Sequence, residues 1–244
     1  MSTDQRAGCS QVVSITPGID RTLQKYRSVS PTTGHPVITP SLKSRRFVKR
    51  AIDILLSSLI LIFGLPLLVL LAVLVKVSSR GPVLFVQDRA GLRGRAFRIL
   101  KFRTMAHRPA KQQAMTWTQD DERSITRIGR FLRDYGLDEL PQLVNILKGD
   151  MSIVGPRPPL PEQAEQYTEQ QRKMFGMRPG VLSLAAIRGR RSIPVEQRIG
   201  LHVWYVENWS LSLDWVILWR ALFVVLGRKN ASETLAGRNA PADE

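Results

Sequence analysis

From Ile54 to Val75 the chain runs for 22 residues without a charge, and it is basic on both sides of that run. Lys43, Arg45, Arg46, Lys49 and Arg50 precede it. Lys76, Arg80, Arg89, Arg93, Arg95, Arg98, Lys101 and Arg103 follow, with Asp88 the sole acid in that flank. About 20 helical residues cross a hydrocarbon core of roughly 30 Å, so the run is long enough to span. A simple span, however, carries its basic excess on the cytoplasmic side only. Here both flanks ask for the same side.

Gly64 and Pro66 lie near the middle of the run, and a proline removes one helix hydrogen bond and crowds the carbonyl four residues back. A break there leaves arms of about 12 and 10 residues, roughly 18 and 15 Å long, each too short to cross. The pattern predicts a re-entrant helix-break-helix that dips into one leaflet, with Gly64 and Pro66 as the membrane break. An ordinary kinked span is the alternative, because proline is tolerated in membrane helices. A secretory signal is disfavoured, since the run starts only at Ile54 and lacks a small-residue cleavage site.

A chain of 244 residues accommodates one catalytic or binding domain with attachments. Its net charge of +16 calls for an anionic partner. Beside a membrane insert, anionic lipid is favoured over nucleic acid, and no nucleic-acid partner is expected. The single cysteine, Cys9, cannot form an internal disulfide, which suits a reducing compartment. His35, His107 and His202 have no metal-ligand spacing to one another or to Cys9.

The expected organisation is α-rich α+β: a flexible tail over 1–41, the basic lead-in and membrane insert over 42–76, a cytosolic domain over 77–228, and a second tail over 229–244. Within the domain, Val83–Val86 and Phe97–Phe102 read as a β-hairpin about the turn Gly91–Gly94. Residues His107–Asp121 read as a polar loop. Ile125, Ile128, Phe131 and Leu132 recur at helical spacing, with Gly136 as the stop. A further helix is expected from about Asp138 to Gly149, a polar helix over Glu162–Met174, and a turn at Pro179-Gly180. Residues 203–226 hold Trp204, Trp209, Trp215 and Trp219 with Tyr205, and suggest an amphipathic helix lying in the headgroup layer. A tryptophan-rich core helix is the plainer reading.

The chemistry centres on Asp138-Glu139 within Arg133-Asp134-Tyr135-Gly136-Leu137-Asp138-Glu139-Leu140-Pro141-Gln142. Such a pair can simply cap a helix and complement its dipole. In a first helical turn, however, two carboxylates beside free N–H groups suit a phosphate with Mg²⁺, and an ionised Asp can take up a phosphoryl group. Lys101, Arg103, Arg133, Arg157 and Arg178 stand in surrounding loop-rich segments, and arginine suits bidentate phosphate contacts. Together they form a candidate diphosphate clamp.

From about Lys49 to Leu226 the chain resembles the monotopic bacterial sugar transferases, the polyprenyl-phosphate phosphoglycosyl transferases. The matching pieces are Lys49-Arg50-Ala51-Ile52-Asp53, Ser79–Val83, Lys101–Met105, Leu137–Gln142, Leu147–Ser152 and Val154–Pro158, in that family's order. The resemblance implies transfer of sugar-1-phosphate from a UDP-sugar to polyprenyl (undecaprenyl) phosphate, with release of UMP. It implies ping-pong kinetics through a phosphosugar-aspartyl intermediate on Asp138, with Glu139 supporting Mg²⁺ or proton transfer. It also implies the cytoplasmic face of a bacterial inner membrane, as an early step of exopolysaccharide or glycoconjugate assembly. Self-association is compatible with it.

The chain departs from that family's pattern in three places. Leu65-Pro66 stands where Ser-Pro is usual, and Gly136 where a serine often precedes the Leu-Asp-Glu unit. Leu182-Ser183-Leu184-Ala185-Ala186 replaces Thr-Gly-Trp-Ala-Gln, which touches expected donor contacts but not the acidic pair. Two other classes compete with the phosphotransferase. One is a non-catalytic basic membrane adaptor that binds anionic lipid. The other is a conventional glycosyltransferase, although no Asp-x-Asp motif and no glycine-rich phosphate loop is present.

Overall fold

The computed structural model describes residues 40–106, 124–188 and 194–226. Residues 1–39 and 227–244, the whole His107–Asp121 loop and residues 189–193 lie outside the described residues. Helix α1, Pro40–Ser78, is 39 residues long and contains Pro66. Where the sequence suggested two helices about a break, the backbone stays helical through Gly64 and Pro66. Lys49, Asp53, Ser57, Leu71 and Val75 are buried, with Leu61 and Leu68 partly buried between them, so one face keeps helical spacing from end to end. These contacts lie on either side of Pro66, Leu61 being the last named before it and Leu68 the first after it. Burying Leu71 and Val75 stabilises the helix by about 1.5–3 kcal/mol each.

The rest of α1 is open. Ile62, Phe63 and Val77 are exposed, and only 11% of its most apolar stretch is buried against the chain. The helix is long and apolar enough to cross a membrane. Its two ends nevertheless meet the same globular domain. Near the start, Lys49 Nζ donates to the Val154 carbonyl (2.9 Å) and pairs with Asp214 (2.6 Å), while Arg50 donates to the Ile146 (2.7 Å) and Leu147 (3.1 Å) carbonyls. At the far end, the buried Arg103 donates to the carbonyls of Val75 (3.3 Å), Ser79 (2.6 Å) and Pro82.

Strands β1 (Leu84–Ala90) and β2 (Ala96–Phe102) form the expected antiparallel hairpin, with Leu84 opposite Phe102 and Ala90 opposite Ala96. Helix α2, Arg127–Tyr135, is capped by the Thr126 hydroxyl, which accepts from Gly129 N–H at 2.9 Å. It ends at Gly136, whose φ of 70° is the left-handed conformation that favours glycine at a helix end. Gly129 is required for another reason: a Cβ there would lie 1.9 Å from the Thr104 carbonyl oxygen, so α2 rests directly on the backbone after β2.

A 3₁₀ turn, Leu137–Glu139, leads into the seven-residue helix α3, Gln142–Lys148, which stops at Gly149. Strands β3 (Ser152–Val154) and β4 (Gly180–Leu182) pair in parallel. The turn expected at Pro179-Gly180 is therefore the entrance to a strand.

The polar helix expected over Glu162–Met174 is also corrected. It divides into α4 (Pro161–Glu165), α5 (Glu169–Arg172) and a 3₁₀ turn (Lys173–Gly176). Thr168 is the reason. Its hydroxyl accepts from Gln171 N–H and the Gln171 side chain returns to Thr168 N–H, a capping box that starts a new helix.

The segment replacing the family's usual residues forms β4 and α6, Leu184–Arg188. After it come α7 (Val195–Glu207) and α8 (Leu211–Leu226). The single helix expected over 203–226 is thus two, separated by Asn208–Ser210, where Ser210 Oγ accepts from Leu213 N–H at 3.1 Å. Its first half is core. Tyr205 and Trp209 pack with Val154, Met177, Leu184, Leu213 and Ile217. Exposed apolar surface begins only at Trp215, Trp219, Leu222 and Phe223 on α8.

Candidate active site

The acidic pair sits in the 3₁₀ turn ahead of α3, not in that helix's first turn as the sequence suggested, because Pro141 caps a helix that begins at Gln142. The helix dipole does not explain its setting. Leu137 and Leu140 bracket the pair and pack against Leu71, Val75, Phe102 and Leu132. The turn carrying both carboxylates is therefore seated on the end of α1. Phe102 in the same cluster separates Lys101 from Arg103 along β2.

Around Glu139 the charges are tightly matched. Its Oε1 accepts from Lys101 Nζ at 2.8 Å and from the Arg157 guanidinium at 3.0 Å, the latter projecting from the Pro156-Arg157-Pro158 turn. Burial works to raise its pKa, but Arg157 and Lys101 outweigh burial and hold the carboxylate at about 2. Asp138 differs. Burial first, and then the neighbouring Glu139 charge, push its pKa above the ordinary aspartate value against the pull of Lys101, Arg133 and Arg157. Among the described residues no hydrogen bond or ion pair engages its carboxylate. One acid is clamped as an anion, and the other is left open.

Of the five basic residues expected in the clamp, Lys101, Arg133 and Arg157 act on the pair. Arg133 lies near enough to lower the Asp138 pKa, and its Nε donates to the Thr104 hydroxyl at 2.7 Å. Arg103 and Arg178 are turned elsewhere. Arg103 binds the carbonyls at the end of α1 described above. Arg178 donates to the Gly149 carbonyl at 2.8 Å, at the end of α3 about 10 Å of helix away from the pair. There it joins Arg50 in satisfying α3's last carbonyls, the usual task of basic side chains at that end.

Arg89 and His202 were not foreseen. Both are close enough to Arg157 to feel its charge: burial and then Arg157 lower the Arg89 pKa, and burial followed by Arg157 and Arg198 brings His202 down to about 4. His202 is therefore neutral at physiological pH and spares the site another cation. Nothing local in the sequence marked either residue.

For Mg²⁺, the chemistry of the donor set is the test. No group of three His, Cys, Asp or Glu is assembled among the described residues. A Mg²⁺ ion needs only one or two carboxylates when substrate phosphates complete its shell, and adjacent Asp138 and Glu139 fit that role.

The family model for bacterial sugar transferases matches residues 44–228. An uncharacterized sugar transferase of Haemophilus influenzae is 39% identical over 202 residues, covering 77% of this chain and 43% of that protein. The uncharacterized sugar transferase EpsL of Bacillus subtilis is 38% identical over 188 residues, 77% of this chain and 91% of EpsL. The UDP-glucose:undecaprenyl-phosphate glucose-1-phosphate transferase of Caulobacter vibrioides is 39% identical over 191 residues, 75% of this chain and 71% of that enzyme. The chain thus spans less than half of some relatives and nearly all of others. With its acidic turn, Pro-Arg-Pro turn and the apolar run of α1 all inside the matched region, the chain belongs to the bacterial sugar transferase family.

Proposed function

We propose that the chain moves sugar-1-phosphate from a UDP-sugar to polyprenyl phosphate at a membrane surface and releases UMP. The observation that carries this reading is the unequal pair: Glu139 is held by Lys101 and Arg157, while Asp138 is unengaged and more basic than usual. An Asp138 oxygen attacks the sugar-bearing phosphorus, the bond to the bridging oxygen breaks, and UMP leaves with that oxygen. A polyprenyl-phosphate oxygen then attacks the same phosphorus and breaks the aspartyl bond, restoring the carboxylate and yielding a polyprenyl diphosphosugar. The kinetics are ping-pong. Lys101, Arg133 and Arg157 offset charge on the donor's diphosphate. Asp138 and Glu139 would hold Mg²⁺, which supplies further neutralisation of that diphosphate. The name of the Caulobacter relative, a UDP-glucose:undecaprenyl-phosphate transferase, supports both substrate classes.

Both ends of α1 lie on one side of the membrane in this reading. The support is that one domain grips Lys49 and Arg50 near the start and Val75 to Pro82 at the end, which a span would separate by about 30 Å of hydrocarbon. The helix therefore enters one leaflet along its open apolar face and stays there, with the domain on the cytoplasmic side favoured by its basic flanks. The dyad's turn, packed on the end of α1, then lies at headgroup depth, where the acceptor's phosphate is found.

The test uses full-length protein in lipid nanodiscs with Mg²⁺, polyprenyl phosphate and a panel of UDP-sugars. UMP should appear with one of them, and Asp138→Asn should abolish it. Donor alone should leave a phosphosugar adduct on Asp138 by mass spectrometry. UDP in place of UMP, or undiminished turnover in Asp138→Asn, would sink the mechanism. For topology, cysteines replacing Arg45 and Arg80 in a chain lacking Cys9 should both react with an impermeant reagent from the cytoplasmic side, and opposite sidedness would establish a span.

A further inference from the structure

Asn145 is 1% exposed, and its carboxamide binds the free edge of β2. Leu100 N–H donates to Oδ1 at 3.0 Å, and Nδ2 donates to the Arg98 carbonyl at 2.7 Å and to Asp150 Oδ2 at 3.4 Å. Hydrogen-bonded pairs of the β1–β2 ladder alternate, and the bonds from Arg103 N–H to Val83 and from Gly91 N–H to Arg95 fix which residues face β1. Arg98 and Leu100 therefore turn their backbone groups away from β1. One donor and one acceptor placed opposite Ile99 reproduce what a single residue of a parallel neighbouring strand would offer. A side chain of α3 stands in for a missing strand.

We infer that Asn145 is a positioning residue that sets the Lys101–Glu139 distance by locking the register of α3 against β2. The chain closes a short mechanical circuit here. Leu100 is held by Asn145, Lys101 follows Leu100 and reaches Glu139, and Glu139 precedes Asn145 by six residues across Pro141. Beside it, Ile99 of β2 packs in one apolar cluster with Leu143 and Ile146 of α3 and with Met151 just after α3. Apolar contact is non-directional and resists separation better than sliding. The carboxamide supplies the direction. Without it, β2 slips along α3, Lys101 draws away from Glu139, and the clamped half of the dyad loosens while Asp138 keeps its turn.

The test is lysine reactivity in the full chain in nanodiscs, for Asn145→Ala and for the near-isosteric Asn145→Asp, which faces the Arg98 carbonyl with a second acceptor. Reductive methylation is followed peptide by peptide. Lys101 should react about fivefold or more faster in both variants, while Lys49, paired with Asp214 elsewhere, stays within about twofold. Unchanged Lys101 overturns the inference, and so does an equal rise at Lys49, which would mean general loosening. A second arm rests on the proposed reaction: kcat should fall about tenfold or more with donor KM held within about twofold, as expected for a misplacement of an ångström or less. Raised Lys101 reactivity with unaltered kcat also overturns it. A wild type that releases no UMP would fault the reading of the reaction, and the methylation arm would still decide the role of Asn145.

Discussion

Replacing Glu139 by Gln should move stability and the acid limb of catalysis in opposite senses. Arg157 and Lys101 bring the Glu139 carboxyl from its ordinary 4.5 to about 2, although burial alone would raise it. At 1.36 kcal/mol per pH unit this corresponds to about 3 kcal/mol of folding stability, and since Arg157 is 53% exposed, screening reduces it to roughly 2. The sign follows from a depressed pKa: the contribution is complete above about 4.5 and is lost as pH falls through about 2. Guanidinium unfolding in micelles, followed by tryptophan fluorescence, should show the wild type more stable than Glu139→Gln by roughly 2 kcal/mol at pH 7, with more than half of that gap gone at pH 3. Catalysis moves the other way. Glu139 is one reason that Asp138 holds its proton too long, so its removal should carry the acid limb of adduct formation to lower pH even as the maximal rate falls. A stability gap independent of pH between 7 and 3, or an acid limb that stays or rises, would refute this division of charge.

Lys49→Met leaves Asp214 to the Tyr205 and Trp209 donors alone, and loss of one partner of this nearly buried pair should cost about 3 kcal/mol, a drop of roughly 6–12 °C by calorimetry. Arg103→Met should lower stability by about 2 kcal/mol with little change in donor KM, since its guanidinium serves α1's carbonyls; a large rise in donor KM would return Arg103 to the phosphate clamp. In single-tryptophan variants, brominated lipid should quench Trp215 and Trp219 strongly and Trp209 weakly, and equal quenching would argue against α8 meeting the bilayer.

The hairpin was legible because two short apolar runs flank a glycine turn, and α2 because its apolar spacing stops at a glycine that takes φ of 70°. The Asp138-Glu139 pair stood out as adjacent acids among basic segments, and Lys101 and Arg157 do meet Glu139. What remained hidden was set at long range. Strands β3 and β4 are three residues each, too short to show a period, and exist because they find one another. Arg103 and Lys101 look equivalent in sequence, yet one turns to carbonyls at the end of α1 and the other to Glu139. Pro66 has a local preference to interrupt a helix, yet the helix continues through it. The Thr168–Gln171 capping box was readable in the sequence, by contrast, and marks the division of α4 from α5.

Adjacent carboxylates usually share one environment, and here they do not. The two cations are shared unequally: Lys101 and Arg157 both bond to Glu139, whereas they act on Asp138 only through their charge. Leu137 and Leu140, on either side of the acids, pin the turn to α1's end. An oxygen shared by two cations is a poor nucleophile, because the same contacts that lower its proton affinity lower its affinity for phosphorus. Asp138, with a raised proton affinity and no partner among the described residues, has the opposite character. Exchanging the two residues should therefore not preserve activity: Asp138→Glu combined with Glu139→Asp keeps both charges but shortens the clamped side chain by one methylene and lengthens the proposed nucleophile. UMP release at wild-type rates from that double variant would show that the identity of each acid is unimportant, and the separation of roles would fall with it.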